Sequence, residues 1–120
     1  MKESPLLIKS FKLGVLVIKL CQKINREKKE FVLSRQLLRS GTNPGAMMRE
    51  ANKAESVADF IHKMKIAEKE AYETQYWLEL MVETDIISKE DFIPVYDLSI
   101  EISKMLASSI TTSRRNKVKN

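Results

Sequence analysis

One cysteine and one histidine are all that this 120-residue chain offers to thiol or imidazole chemistry. A lone Cys21 excludes an internal disulfide and a multi-cysteine metal site, which makes a reducing, cytoplasmic compartment the expectation. With no histidine near it in sequence, Cys21 also lacks the base that activates a thiol nucleophile. Asp59-x-x-His62 has the spacing of a metal-ligand pair on one helix face. Di-iron bundles need two such pairs and two further carboxylates, however, so no metal or cofactor is expected and His62 reads as an exposed helix residue. There are three glycines, and none belongs to a phosphate-cradling loop, because Gly41 and Gly45 lack the Lys-Ser/Thr ending and the preceding strand. Long hydrophobic runs are missing too. The uncharged stretch 13–18 sits between Lys12 and Lys19 and falls far short of the roughly 20 residues that span a bilayer. The N-terminal MKESPLLIKS lacks the apolar core of a signal peptide. A soluble protein without a membrane partner is the expectation.

What is present is helical periodicity. Ser4-Pro5 reads as an N-cap followed by proline at the first helical position, opening a helix to about Asn25. The short charged turn at 26–29 favours an antiparallel neighbour. A second helix is expected over 30–53, a third over 57–84 opened by Ser56 and Asp59, and a fourth over 89–112 opened by Ser88 and Asp91. Pro94 implies a bend or a helix that effectively begins there. In helix 2, Leu33, Leu37, Pro44, Met48 and Ala51 share one side and Arg35, Arg39, Thr42, Ala46, Arg49 and Lys53 another. That register runs through Gly41, Pro44 and Gly45, which argues for a helix kinked near Gly41–Gly45; a loop at 41–45 is the alternative. Core stripes are expected at Val57, Phe60, Met64, Ala67, Ala71, Leu78 and Val82 in helix 3. In helix 4 they fall at Phe92, Val95, Tyr96, Ser99, Ile102, Leu106 and Ile110. The fold class is therefore all-α: an up-down-up-down antiparallel four-helix bundle over 1–113, followed by a basic, frayed C-terminal tail over 114–120.

Helix 1 carries two apolar stripes where a monomeric bundle helix needs one. Leu7, Phe11, Gly14, Ile18 and Cys21 are assigned to the core. Leu6, Leu13, Val17, Leu20 and Ile24 are then left for an oligomer interface, together with Ile66, Trp77 and Leu80 on a second face of helix 3. Two unlike patches suggest a head-to-tail contact that closes a ring. Charge is segregated as well. Residues 1–50 hold 11 basic and 4 acidic side chains, residues 51–113 hold 6 and 12, and residues 114–120 hold 4 and none. Lys9, Lys12, Lys19, Lys23 and Arg26 on helix 1, with Arg35, Arg39, Arg49 and Lys53 on helix 2, form a candidate cationic surface for phosphates of RNA or DNA. No nucleic-acid-binding signature accompanies them, so the contact would be through the backbone and sequence-independent. Glu50, Glu68, Glu70 and Glu73 read as partners of Arg39, Arg49 or Lys69 rather than as an acid/base pair, which favours an adaptor over an enzyme.

The segments QLLRSGTNPGAMMREA and SVADFIHKMKIAEKEAYETQYWL resemble the four-helix-bundle proteins encoded by intervening sequences in bacterial 23S ribosomal RNA genes. An R-S-G/A-T segment, an E-A/G pair and an E-x-x-E-T segment occur in the family's order; Asn43-Pro44 and Met47 depart from its pattern. Relatives of that family include the accessory variability determinant of diversity-generating retroelements, a pentameric, basic helical barrel that works with a reverse transcriptase. The resemblance thus implies a pentameric ring with a nucleic-acid role. A scaffold that binds only a protein partner is the alternative.

Overall fold

The computed structural model describes residues 4–119; Met1 to Glu3 and Asn120, which the expected domain and tail boundaries include, lie outside the described residues. Four helices and no strand are found among the described residues: α1 (Pro5–Lys28), α2 (Val32–Ala51), α3 (Val57–Glu83) and α4 (Lys89–Lys119). They form a rod of 52 × 21 × 21 Å. The side-chain pairs that link neighbours run in opposite order along the two helices, as antiparallel packing requires. On α1 and α4, Lys9 meets Glu101 and Lys23 meets Asp91. On α2 and α3, Arg39 meets Glu70 and Glu50 meets Lys63.

Local chemistry sets the ends. Ser4 Oγ accepts from the Leu7 amide at 3.2 Å and Pro5 occupies the first turn of α1. Lys29 closes α1 in the left-handed region, φ 54°. The α2 N-terminus is capped by a side chain that spacing rules did not single out. Glu30 accepts from the amides of Val32 (2.9 Å), Leu33 (2.8 Å) and Ser34 (3.0 Å), filling three of the four orphan donors of that first turn. Ser56 and Asp59 cap α3 reciprocally: Ser56 Oγ accepts from the Asp59 amide at 3.0 Å, and Asp59 Oδ2 accepts from the Glu55 amide at 3.2 Å. Ser88 caps the start of α4 through the Asp91 amide. That helix begins five residues ahead of Pro94, which is exposed.

The core is built from Leu13, Val17 and Ile24 of α1, Leu37 and Met48 of α2, Met64 and Leu78 of α3, and Ile102 and Leu106 of α4, all essentially solvent-free. This reverses much of the assignment expected for helix 1, although Cys21 is buried in the core as expected and Leu7 packs against it. Leu6, Leu13, Val17, Leu20 and Ile24 are interior residues of the protomer and cannot serve a subunit contact unless the bundle opens. Phe11 and Ile18, expected inside, are 59% and 42% exposed. In α3, Val57 is exposed, while Ile61, Thr74, Gln75 and Met81 join the buried set. Gln75 reconciles its polarity with that position by donating to the Ser99 carbonyl (3.2 Å) and the Ser103 hydroxyl (2.8 Å) of α4.

The physical reason for the reversal lies in α2, which is one continuous helix through Gly41–Gly45. A Cβ on Gly41 would sit 2.6 Å from a Val17 methyl, and one on Gly45 would sit 3.2 Å from the Ser10 carbonyl oxygen. The two glycines, four residues apart on one face, let α2 approach α1 along Ser10, Gly14 and Val17. That approach turns Val17 inward and Phe11 outward. The fourth helix also differs from expectation. It continues through the basic segment to Lys119, past its last core residue Ile110. Extending a formed helix adds one hydrogen bond per residue fixed, so the segment needs no apolar stripe of its own to stay helical.

Gly41→Ala is expected to lower stability by up to about 2 kcal/mol, because overpacking against Val17 (about 1–3 kcal/mol) outweighs the helix-propensity gain of about 1 kcal/mol. Chemical denaturation of the variant checks this; a variant more stable than the parent removes the close-contact account.

Candidate nucleic-acid interface

The nine cations expected to form one surface fall into two groups. Three are occupied by contacts within the bundle. Lys9 Nζ donates to Glu101 at 3.1 Å, and Lys23 Nζ donates to Asp91 at 2.8 Å, which together link α1 to α4. The hydrogen bond and the charge of Asp91 raise the Lys23 pKa above its ordinary value. Arg39 forks onto Glu70, at 3.0 Å, and Glu73, tying α2 to α3. Glu73 also accepts from the Trp77 indole at 3.3 Å, and Thr74 Oγ1 donates to Ser40 Oγ at 3.1 Å just beneath. Glu70 and Glu73, which could be mistaken for part of an acid/base cluster, are therefore the carboxylate side of a helix–helix clasp. Glu68 pairs with Lys65, and Glu50 with Lys63.

The remaining cations point outward. Lys12, Lys19, Arg35 and Lys53 are exposed and have no carboxylate within ion-pair distance among the described residues. Arg26 has only a loose contact with its neighbour Glu27, at 3.8 Å. Arg49 lies over the Phe11 ring, 5.6 Å from its centroid, in a cation–π contact across the α1–α2 seam. Lys12, Lys19 and Arg26 repeat every seven residues, so they form a shoulder on α1 with about 10.5 Å between successive members.

Between this shoulder and the α2 cations runs a shallow furrow. Leu7, Phe11, Val15 and Ile18 of α1 and Thr42, Gly45 and Ala46 of α2 line it. Ile8, Phe11, Ile18 and Leu38 leave large apolar surfaces in water at or beside it. Of these, only Phe11 and Ile18 entered the sequence argument, and there as core. The missed signal is the strict 4-3-4-3-4 spacing of residues 6, 10, 13, 17, 20 and 24, which marks a packing seam once Ser10 is allowed to stand in it. On α3, Ile66, Trp77 and Leu80 are partly covered, and the exposed aromatic surface is instead Tyr72 and Tyr76.

No cluster of three or more His, Cys, Asp or Glu side chains with metal-holding geometry occurs among the described residues. No helix among them is long and apolar enough to cross a membrane. Cys21 is buried, its Sγ donating to the Ser34 carbonyl at 3.3 Å.

A family model described as 23S rRNA-intervening sequence protein matches residues 2–108. The chain belongs to that family. It is similar to a crystal structure of a protein of unknown function from the S23 ribosomal protein family of Bacteroides thetaiotaomicron. The two share 48% identity over 88% of this chain and 97% of the other, with a TM-score of 0.86. No curated protein matches the chain. Neither the family description nor the crystal-structure relative indicates an enzymatic activity.

Burial and, secondarily, the charge of Glu30 push the Cys21 thiol up to about 11. An unfolded thiol ionises near pH 8.5, so the neutral, buried thiol stabilises the fold below that pH, and the contribution is lost as pH rises towards 11. The stability difference between wild type and Cys21→Ala, measured by denaturation from pH 7 to 11, is expected to shrink steadily above pH 8.5; a pH-independent difference contradicts the burial.

Proposed function

We propose that the protein is a non-enzymatic, homo-oligomeric adaptor that holds nucleic acid by its phosphates through the α1 shoulder. One observation carries the reading. The cations spent inside the bundle are those beside α3 and α4, whereas Lys12 and Lys19 stand on an outward face with no carboxylate partner among the described residues, and Arg26 beside them meets only its neighbour Glu27, at 3.8 Å. A ridge of uncompensated charge costs self-repulsion and contributes nothing to the fold, while it draws a polyanion by releasing its counterions. Family membership agrees in kind with this reading, as a connection to ribosomal RNA genes rather than as a site.

The subunit contact moves with the corrected face. Ile8, Phe11, Ile18 and Leu38 offer an apolar furrow rimmed by Arg35 and Arg49. The opposite side of the rod offers Tyr72 and Tyr76 on α3, with the exposed acids Glu79 and Glu83 on the same helix. The two surfaces are unlike and complementary in charge, which supports head-to-tail association into a closed ring. Five subunits is the number that the family resemblance implies. A ring repeats the α1 shoulder around itself and turns weak phosphate contacts into an avid set.

Fluorescence anisotropy with a 20-mer RNA and a 20-bp DNA over a range of salt tests the binding. The slope of log K against log salt is expected to be about 0.7–0.9 per phosphate contact, and Lys12→Ser/Lys19→Ser/Arg26→Ser should remove about 2 to 3 from it per protomer engaged. Lys9→Gln should leave it unchanged. Absence of binding at low salt overturns the nucleic-acid reading and leaves a protein scaffold. Native mass spectrometry tests the assembly: Phe11→Asp/Ile18→Asp is expected to yield monomers, and a monomeric wild type at micromolar concentration overturns the ring.

A further inference from the structure

At one end of the rod, the turn between α2 and α3 meets the extension of α4 across a recess of about 330 Å³. Asn52, Ser56, Val57, Phe60, Ser113 and Asn116 are among its walls. Two features set it apart from a simple gap at a bundle end. Asn52 Oδ1 is buried with no hydrogen-bond partner, alone in this among the described side chains. Buried acceptors are nearly always satisfied, and this oxygen, closed off beneath the recess, gains a partner only if the carboxamide turns towards an occupant. Cations also adjoin its walls in the chain. Lys53 follows Asn52 in the turn, and Lys117 lies one helical turn beyond Ser113; both are exposed and have no carboxylate partner among the described residues. Of the acids nearby, Asp59 is held in the α3 cap and Glu55 is exposed in the turn.

We propose that this recess takes a single unpaired nucleobase, with Lys53 and Lys117 holding the adjoining phosphates. The inference rests on the nucleic-acid reading above and names its substrate class as single-stranded rather than duplex. Phe60 and Val57 supply an apolar wall for the flat face of a base. The carboxamides of Asn52 and Asn116 and the Ser113 hydroxyl supply donors and acceptors for its edge, and an asparagine amide matches the paired donor and acceptor that adenine presents. A broad χ2 well lets Asn52 turn its amide to the occupant at little cost. A base inside a duplex keeps its edge paired and its faces stacked, so it cannot enter; one in a loop or at a strand end can. The helical extension of α4, with no core role beyond Ile110, gains a purpose as the far wall.

The probes are three: a fluorescein-labelled A10 RNA, an abasic decamer of equal charge, and an A10·U10 duplex, each titrated against the full chain at fixed salt. Wild type is expected to bind A10 at least fivefold more tightly than the abasic strand or the duplex. Asn52→Ala and, separately, the blocking variant Ser113→Trp should cut that preference below twofold while leaving the salt slope intact. Thermal melting confirms that both variants are folded. Equal affinity of wild type for the three probes overturns the recess while the phosphate reading stands, as does a preference that survives both variants. No binding to any probe removes both.

Discussion

The contact on which the rest depends is the approach of α2 to α1 at Gly41 and Gly45. A methyl group at Gly41 would overlap Val17, and one at Gly45 would press on the Ser10 carbonyl. Glycine in a helix interior costs about 1 kcal/mol relative to alanine, and Pro44 between the two forfeits a hydrogen bond as well. The helix accepts these costs because close packing supplies what is lost: Leu37, Pro44 and Met48 of α2 and Leu13 and Val17 of α1 are all essentially solvent-free. Fixing that seam fixes the rotation of α1. Its 6-10-13-17-20-24 stripe turns inward, its lysines at 9 and 23 reach the carboxylates of α4, and Phe11 and Ile18 are left at the surface.

Much of this architecture was legible in the sequence. Four helices, their caps at Ser4, Ser56 and Ser88, and the stripes of α2 and α4 follow from spacing alone, because a cap or a buried stripe is a local property of the chain. The face of α1 was not legible in the same way. Two apolar stripes about 100–120° apart compete, and nothing within the helix itself ranks one above the other. Which stripe wins is decided by a partner helix, and the decisive residues there are glycines, which look like breakers when read locally. The cap at Glu30 was missed for a related reason: a carboxylate that reaches back over the first turn has no fixed spacing rule as strong as that for serine. The fourth helix ended early on paper because periodicity stops at Ile110, although helical hydrogen bonding does not.

The candidate site was half legible. Eight of the nine cations stand on the helices expected to carry them and Lys53 lies in the turn after α2, yet sequence cannot say which find a carboxylate. Lys9, Lys23 and Arg39 do, and they hold α1 to α4 and α2 to α3. Such exposed pairs add little stability individually, about 0–1 kcal/mol, so their clearer consequence is to neutralise two sides of the rod and leave the third charged. In this account the fold itself sorts the charge: cations spent on alignment face the acidic helices, and cations free for a polyanion stand on α1 and at the end beside Lys53. The apolar furrow and the cationic shoulder are neighbours because one rotation of α1 exposes both.

That rotation is the central claim, and it can be read directly from side-chain NMR of the protein in solution. With methyl-labelled valine, leucine and isoleucine, the account predicts strong nuclear Overhauser effects from the Val17 methyls to the Gly41 Hα protons and from Leu13 to core methyls of the facing helices. It predicts none from Ile18 to Leu37 or Met48. Cross-peaks from Ile18 to those core residues, with Val17 silent towards Gly41, would mean that the other stripe faces inward and would contradict it.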